Sequence, residues 1–356
     1  GRIWSLTYHG SNAAPTVTQI ANMPPGANYE GLSSFGLDQN NELYLCQTGT
    51  NGYIYKLSRP NGDAAAPPTL LSQTGTFTNL ATLSVTDALI PFGVNTPLWS
   101  DGADKHRWMA VPNDGAPYGT NEQVGFETNG AWTFPRGSVL VKHFQIATNE
   151  NFPTQMRRLE TRFLVCDTNG GVYGLTYKWR PDNSDADLLT NSLVEDVVIT
   201  TTSGTRTQAW LYPSRQDCLR CHNSNAKFIL GPKTAQLNGV YTYPGSGVTD
   251  NQLRTWNHLG LLNPPLNEAA ITNLPAMANL TNTSATLELR TRSYLDANCA
   301  HCHKPNGVPA YFDARFDTPL TNQALINGLL SDHLGITGAK VIVPTNIPKS
   351  MLRFRL

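Results

Sequence analysis

The chain has 356 residues, of which 40% are hydrophobic, and its 26 Lys and Arg residues are balanced by 26 Asp and Glu residues. This length suits roughly two or three domains with substantial cores. A net charge of zero without a basic stripe argues against nucleic acid as a partner. The longest apolar stretches, such as residues 88–92, fall far short of the roughly 18 residues that span a bilayer, so we expect no integral membrane span. The first residue is Gly rather than Met, and we expect a processed or truncated product.

Residues 1–60 alternate short apolar and aromatic runs with Gly and Asn turns, which is typical of antiparallel strands. Three or four such strands predict a segment like one propeller blade, although one blade cannot close a propeller. Residues 61–79 begin rich in Pro, Ala and Gly and are predicted to be a linker.

Residues 80–215 carry a stronger strand pattern. The alternation with a period of two residues is clearest in the run Arg158, Leu159, Glu160, Thr161, Arg162, Phe163 and Val165. This period is typical of a half-buried antiparallel strand with one polar face. We therefore expect a β-sandwich-like or barrel-like domain in this part of the chain.

From residue 216 onward the pattern changes towards helix and loop. Thr249 and Gln252 have the spacing of a capping box, which predicts a helix that begins near Thr249. Residues 286–298 predict a second helix that runs directly into a cysteine cluster. The expected fold class is therefore mixed, mainly β followed by α.

Two cysteine clusters have the same pattern, Cys-x-x-Cys-His. They are Cys218-Leu219-Arg220-Cys221-His222 and Cys299-Ala300-His301-Cys302-His303. Two sulfurs one turn apart can form thioethers to the two vinyl groups of one porphyrin, and the following His can ligate the iron. The clusters therefore predict two covalently bound haem c groups. His222 and His303 would be the proximal iron ligands, in haem regions at residues 216–285 and 286–356.

Two other uses of these cysteines stay open. A redox dithiol needs only Cys-x-x-Cys, and a zinc ribbon has its second pair about 15 to 20 residues after the first. In this chain 77 residues (222–298) separate the two pairs, and both pairs carry the following His. The spacing favours haem over a shared zinc site.

The sixth ligand of each iron decides the chemistry. A second His or Met makes the iron a one-electron relay, whereas an open position permits small-molecule chemistry. The candidate distal ligands are His258, His143 and Met277. The alternatives are a solvated His on a helix, a hydrogen-bonded His in a strand, and a Met that fills the core.

Three remaining features are expected to be structural. Cys46 and Cys166 lie in different predicted domains and are expected to be separate buried thiols, with a disulfide as the alternative. The acidic run at residues 182–187 lacks the Gly and the closing Glu of an EF-hand, so a solvated turn is expected rather than a calcium loop.

The chain resembles a family of secreted bacterial di-haem c-type cytochromes, which are often joined behind a propeller like that of quinoprotein sugar dehydrogenases. Residues 1–57 are similar to the closing blade of such a propeller. The segments that carry the resemblance are residues 1–4, 34–37, 95–102, 157–163, 213–218, 251–253 and 298–303.

The resemblance implies a redox module in which Cys218, Cys221 and His222 hold one haem, and Cys299, Cys302 and His303 hold the other. The second motif looks like the start of a class I cytochrome domain. Such domains take an axial Met from a Met-Pro-Pro-like segment, and Met351 does not match that pattern. We therefore expect either a truncated domain or another distal ligand for the second haem.

The leading hypothesis is a protein that transfers single electrons to or from a redox partner, either a dehydrogenase or another cytochrome. Because haem thioethers are attached outside the cytoplasm, we expect a periplasmic or extracellular location. One alternative is a di-haem, peroxidase-like oxidoreductase with one open iron. Another is the electron-accepting tail of a quinoprotein sugar dehydrogenase. We expect an electron-transfer protein rather than a stand-alone enzyme.

Overall fold

The computed structural model divides the chain into two compact units, Gly1–Pro67 and Pro68–Leu356. It describes residues 2–7, 16–22, 32–39, 43–48, 52–56, 66–168, 170–308 and 310–355. Strands far outnumber helices in these ranges, which confirms the predicted mainly β character. The boundary between the units falls inside the predicted linker.

The first unit contains two small antiparallel sheets. One pairs β1 (Arg2–Thr7) with β2 (Thr16–Asn22), and the other has β3 (Leu32–Leu37), β4 (Leu43–Gln47) and β5 (Ile54–Lys56) in that order. Antiparallel strands were predicted for residues 1–60, and the described residues of this unit contain five.

The second unit is built on a six-stranded antiparallel sheet. The strands of the whole unit are β6 (Phe77–Asn79), β7 (Ser84–Val85), β8 (Ile90–Pro91), β9 (Asp104–Ala110), β10 (Val124–Gly125), β11 (Val139–Ala147), β12 (Met156–Cys166), β13 (Val172–Trp179), β14 (Ala186–Leu189), β15 (Leu193–Thr201), β16 (Gly204–Tyr212), β17 (Val240–Thr242), β18 (Thr249–Asn251) and β19 (Leu262–Asn263). The sheet has the order β14-β13-β12-β11-β9-β8. Two-stranded pairs are formed by β6 with β7, β10 with β19, β15 with β16, and β17 with β18.

Both faces of this sheet are packed, because its strands carry apolar residues on each side. One face joins a cluster that includes Met109, Leu140, Leu164 and Trp256. The other face packs against the segment before β8, which includes Leu71, Phe77 and Leu89. Leu71 is fully buried, so the end of the predicted linker is part of the core. The hairpin of β15 and β16 covers one end of the sheet through Val197 and Trp210.

Four short helices follow or flank the sheet. They are α1 (Arg215–Cys221), α2 (Thr234–Leu237), α3 (Gln252–His258) and α4 (Leu287–Cys299), with 3-10 turns at residues 71–74, 268–273, 320–322, 347–349 and 351–354. The prediction of α4 is confirmed, with Thr286 as its cap. The predicted cap Thr249 is wrong, because residues 249–251 pair with β17 as a strand and Asn251 caps α3 instead. No helix in the described ranges is long and apolar enough to cross a membrane.

The predicted boundaries near residues 216 and 286 do not separate compact units, because hydrogen bonds cross both of them. Thr96 Oγ1 donates to the Ala278 carbonyl over 3.0 Å, and the Trp99 amide donates to Asn298 Oδ1 over 2.7 Å. The predicted domain at 80–215 and the two predicted haem regions therefore share one unit.

Leu159 on β12 is fully buried between the sheet and the β15–β16 hairpin. Leu159→Ala should lower the free energy of unfolding by about 2–5 kcal/mol, because a cavity replaces close packing. Val198→Ala, at a residue 58% exposed on β15, is the control and should change it by less than about 0.5 kcal/mol. Urea unfolding followed by circular dichroism measures both, and equal effects would contradict the described packing.

Candidate functional site

The first Cys-x-x-Cys-His motif lies on α1. Ser214 begins this helix: its hydroxyl accepts the Asp217 amide over 3.2 Å, and Asp217 Oδ2 accepts the Ser214 amide over 3.0 Å. The His222 amide donates to the Cys218 carbonyl over 2.9 Å. This hydrogen bond closes one helical turn, so both sulfurs and the imidazole belong to a single turn.

Helix α1 packs directly on β13. A side chain at Gly174 would place its Cβ only 2.5 Å from Cys218 Sγ and 2.6 Å from Cys218 Cβ. The Arg215 guanidinium lies 4.2 Å from the centre of the Tyr173 ring, and Thr176 Oγ1 donates to the Pro213 carbonyl over 2.8 Å. The strand therefore fixes the position of the first motif.

The His222 ring is oriented by the loop that follows α1. Its Nδ1 lies 2.6 Å from the Phe228 carbonyl oxygen. Because a carbonyl can only accept, Nδ1 carries the proton and Nε2 keeps a free lone pair, which is the state of a metal-ligating His. Burial lowers the pKa of His222 to about 4, so the ring is neutral at neutral pH.

The second motif repeats this turn at the end of α4. The His303 amide donates to the Cys299 carbonyl over 2.8 Å. The His303 ring stacks on Phe312 with centres 4.4 Å apart, and its buried Nδ1 has no hydrogen-bond partner among the described residues. Burying a nitrogen without a hydrogen-bond partner costs free energy, so the His303 ring is suited to binding a ligand.

Burial raises the pKa of all four motif thiols, Cys218, Cys221, Cys299 and Cys302. Reactive dithiols need the opposite, because only a lowered pKa supplies thiolate at neutral pH. The thiols of these motifs are therefore poorly suited to the redox dithiol that the spacing left open.

Residues of both motifs line one cavity of about 360 Å³, but Cys299, Cys302 and His303 are not among them. Its lining includes Cys218, Cys221 and His222 from the first motif, and Ala300 and His301 from the second. This volume falls within the range of ligand sites, about 300–1,000 Å³. Lys304, just after the second motif, donates to the Asn225 carbonyl over 2.5 Å and ties together the loops that follow the two motifs.

One wall of the cavity carries cations that the sequence patterns did not identify. Arg107, Lys142 and Arg162, from β9, β11 and β12, line it. The alternation in β12 predicted a face turned to water, but Glu160 on that face is fully buried. The predicted antiparallel strand is confirmed. Its polar face, however, is turned to the cavity and the protein interior.

The three predicted distal ligands lie elsewhere. His258 is exposed at the end of α3, and Met277 is buried at 4% exposure. His143 is buried with its Nδ1 2.9 Å from Thr161 Oγ1, on the sheet face opposite to Lys142. None of these three residues lines the cavity, whereas His301 does. Inside a cysteine motif, His301 carried no separate sequence signal.

The other flagged residues have structural partners. Cys166 is buried and Cys46 is half-buried, and neither forms a disulfide. In the acidic run, Asp185 accepts the Ser72 hydroxyl over 2.6 Å and Asp187 pairs with Arg180 over 2.7 Å. Across the described ranges, no three His, Cys, Asp or Glu side chains are grouped so that they could hold a metal ion.

No family model matches this chain, and neither a curated protein nor a solved structure with significant similarity was found. The fit of a haem therefore depends on the chain's own residues. The donor set fits: each motif supplies two thiols and one imidazole from a single turn, and the residues of the first motif line a cavity.

Gly174→Ala should lower the free energy of unfolding by about 1–3 kcal/mol, because the new methyl overlaps Cys218 and α1 must shift. Gly119→Ala is the matched control, since a Cβ there meets nothing closer than 3.7 Å. Chemical unfolding of both variants measures the difference. If Gly174→Ala were as stable as Gly119→Ala, the close contact between α1 and β13 would be wrong.

Proposed function

We propose that this chain is a di-haem c-type cytochrome that transfers single electrons. The observation that carries the proposal is one cavity lined by Cys218, Cys221 and His222 of the first motif and by Ala300 and His301 of the second. Cys218 and Cys221 would hold the first haem covalently, with His222 as its proximal ligand. Cys299, Cys302 and His303 would hold the second in the same way.

A bound haem supplies an iron that accepts and releases one electron reversibly. The chain's own contribution is to orient the ligands and keep water away. The Phe228 carbonyl holds the His222 proton at Nδ1, so that Nε2 would be available to ligate the iron. Phe312 supports the flat face of His303 by stacking. Apolar residues such as Phe92 and Leu140 line the cavity and lower its local dielectric.

The closeness of the two motifs supports exchange of electrons between them. After burial, the nearby Cys302 thiol is the largest influence that raises the pKa of Cys221. His301 similarly contributes to the low pKa of His222. Side chains of the two motifs therefore lie near one another within a single compact unit.

The finer parts of the assignment rest on the resemblance. Residues 286–356 would be a class I cytochrome-like domain, supported by the helix α4 that leads into its motif. Residues 1–60 would be a propeller-blade-like segment, supported by the antiparallel order β3-β4-β5. The location would be periplasmic or extracellular, and the partner a dehydrogenase or another cytochrome.

Intact mass under denaturing conditions should show two attached haems, and the alkaline pyridine spectrum should be that of haem c. The double variant Cys218→Ala/Cys221→Ala should keep one haem, because the second motif is untouched. Cys166→Ala, a buried thiol outside both motifs, is the control and should keep two. A wild-type chain with unmodified mass would refute the proposal.

We further propose that His301 is the distal ligand at the first motif, because it faces the cavity that His222 lines. His301→Ala should convert one iron from low spin to high spin in the visible and electron paramagnetic resonance spectra. His258→Ala, at an exposed residue, is the control and should leave both spectra unchanged.

Two low-spin irons in His301→Ala would contradict this ligand assignment. A wild-type protein with one high-spin iron that turns over peroxide would instead favour the peroxidase-like oxidoreductase.

A further inference from the structure

Three cationic side chains stand side by side on the sheet wall of the cavity. In the strand register Lys142 lies directly opposite Arg107 on one side and Arg162 on the other. Directly opposed residues of antiparallel strands share a face, and these three side chains line the same cavity. Like charges in this arrangement repel, so the strip of Arg107, Lys142 and Arg162 is destabilising unless something compensates it.

Among the described residues, a carboxylate forms an ion pair with only one member of this strip, Arg162. Arg162 donates to both oxygens of Glu160, over 2.8 and 2.5 Å, and Glu160 also accepts Trp210 Nε1 over 3.0 Å. Among the described residues the acceptor of Arg107 is a backbone group, the Lys105 carbonyl at 3.3 Å, and Lys142 Nζ lies 5.0 Å from the centre of the Phe144 ring. Within the described ranges, neither Arg107 nor Lys142 forms an ion pair with a carboxylate.

Burial lowers the pKa of both Lys142 and Arg107. Burial, followed by the neighbouring Arg107 and Arg162, lowers the pKa of Lys142 well below its ordinary value. Burial also lowers the pKa of Arg107 to about 10. Both shifts have the direction expected for cations held out of water without a close anion.

The carboxylates that line the cavity serve other groups. The lining has six cationic side chains (Arg107, Lys142, Arg162, Lys233, Lys304, Arg315) and three carboxylates (Asp217, Asp296, Asp317). Asp296 pairs with Lys233 over 2.6 Å, Asp217 accepts the Ser214 hydroxyl over 2.7 Å, and Asp317 accepts the Gly130 amide over 2.7 Å. Since buried charges in proteins are paired, an occupant of this cavity should bring negative charge to the strip.

We infer that Arg107, Lys142 and Arg162 bind the propionate carboxylates of the haem held by the first motif. The inference rests on the proposed function, because Cys218 and His222 line the same cavity. Arg presents a planar fork that matches a carboxylate, and Lys adds a compact positive charge. In this arrangement the thiols and the imidazole of the first motif would hold the porphyrin and its iron. The strip would bind the two carboxylates of the same porphyrin.

The test uses the holoprotein with Lys142→Met. Resonance Raman bands of propionate bending should shift for one of the two haems, because a charged partner is lost. The equilibrium constant for reduction of that haem should fall about tenfold, or about 59 mV for a one-electron couple, because a positive charge near the iron favours the reduced form. Lys142→Arg keeps the charge and should stay close to wild type in both measurements.

Lys105→Met is the matched control. Lys105 lies on the same strand as Arg107, but its ammonium donates to the Leu98 and Ala103 carbonyls over 2.8 and 3.0 Å, and it does not line the cavity. This variant also removes one positive charge close to Arg107, but outside the cavity, and should leave the propionate bands unchanged. Equal potential shifts in Lys142→Met and Lys105→Met, with no change in the bands, would overturn the inference.

A free anion, rather than a haem propionate, is the other group that could neutralise the strip. Inorganic phosphate titrated into the wild-type holoprotein should change neither bands nor potential, because the strip is already engaged. A saturable change that Lys142→Met abolishes would assign the strip to a free anion and overturn the inference. A wild-type chain without attached haem would refute the proposed function and this inference together, whereas the other outcomes leave that function standing.

Discussion

Helix α1 approaches β13 so closely that residue 174 can carry no side chain beside Cys218. This contact positions the whole first motif, because Cys218 begins a turn that Cys221 and His222 complete. The Phe228 carbonyl then accepts a hydrogen bond from Nδ1 of the His222 ring and leaves Nε2 with a free lone pair. The position and orientation of the His222 ring are thus determined by a strand, a helical turn and one backbone carbonyl.

The second motif reaches the same cavity through a different set of contacts. Asp296 on α4 forms a half-buried ion pair with Lys233, at 2.6 Å, and Asn298 accepts the Trp99 amide. Both contacts lie within one turn of Cys299, so they anchor the end of α4 where the motif begins. His301 lines the cavity beside residues of the first motif because these contacts hold the end of α4 there.

The sequence was sufficient for the motifs and for α4, because both depend on local spacing. The cationic wall could not be predicted in this way. Alternation in β12 shows that Glu160 and Arg162 share a face, but it does not distinguish a face in water from a face in a cavity. Which strands neighbour β12, and in which register, is decided by long-range pairing, so the alignment of Lys142 with Arg107 appears only in the folded sheet. Similarly, Thr249 has the spacing of a helix cap, yet strand pairing with β17 overrides that local preference.

The strip of Arg107, Lys142 and Arg162 links the fold of the sheet to its occupant. Aligning three cations opposes the pairing of β9, β11 and β12, and among the described residues Glu160 is the carboxylate that forms an ion pair with the strip. An anionic group that binds the folded sheet, but not the unfolded chain, stabilises the fold by the free energy of its binding. Under the proposed function, binding of the haem propionates would therefore pair the strip, fill the cavity and stabilise the folded sheet. This coupling gives a physical reason for cations at positions where apolar residues would make a more stable empty protein.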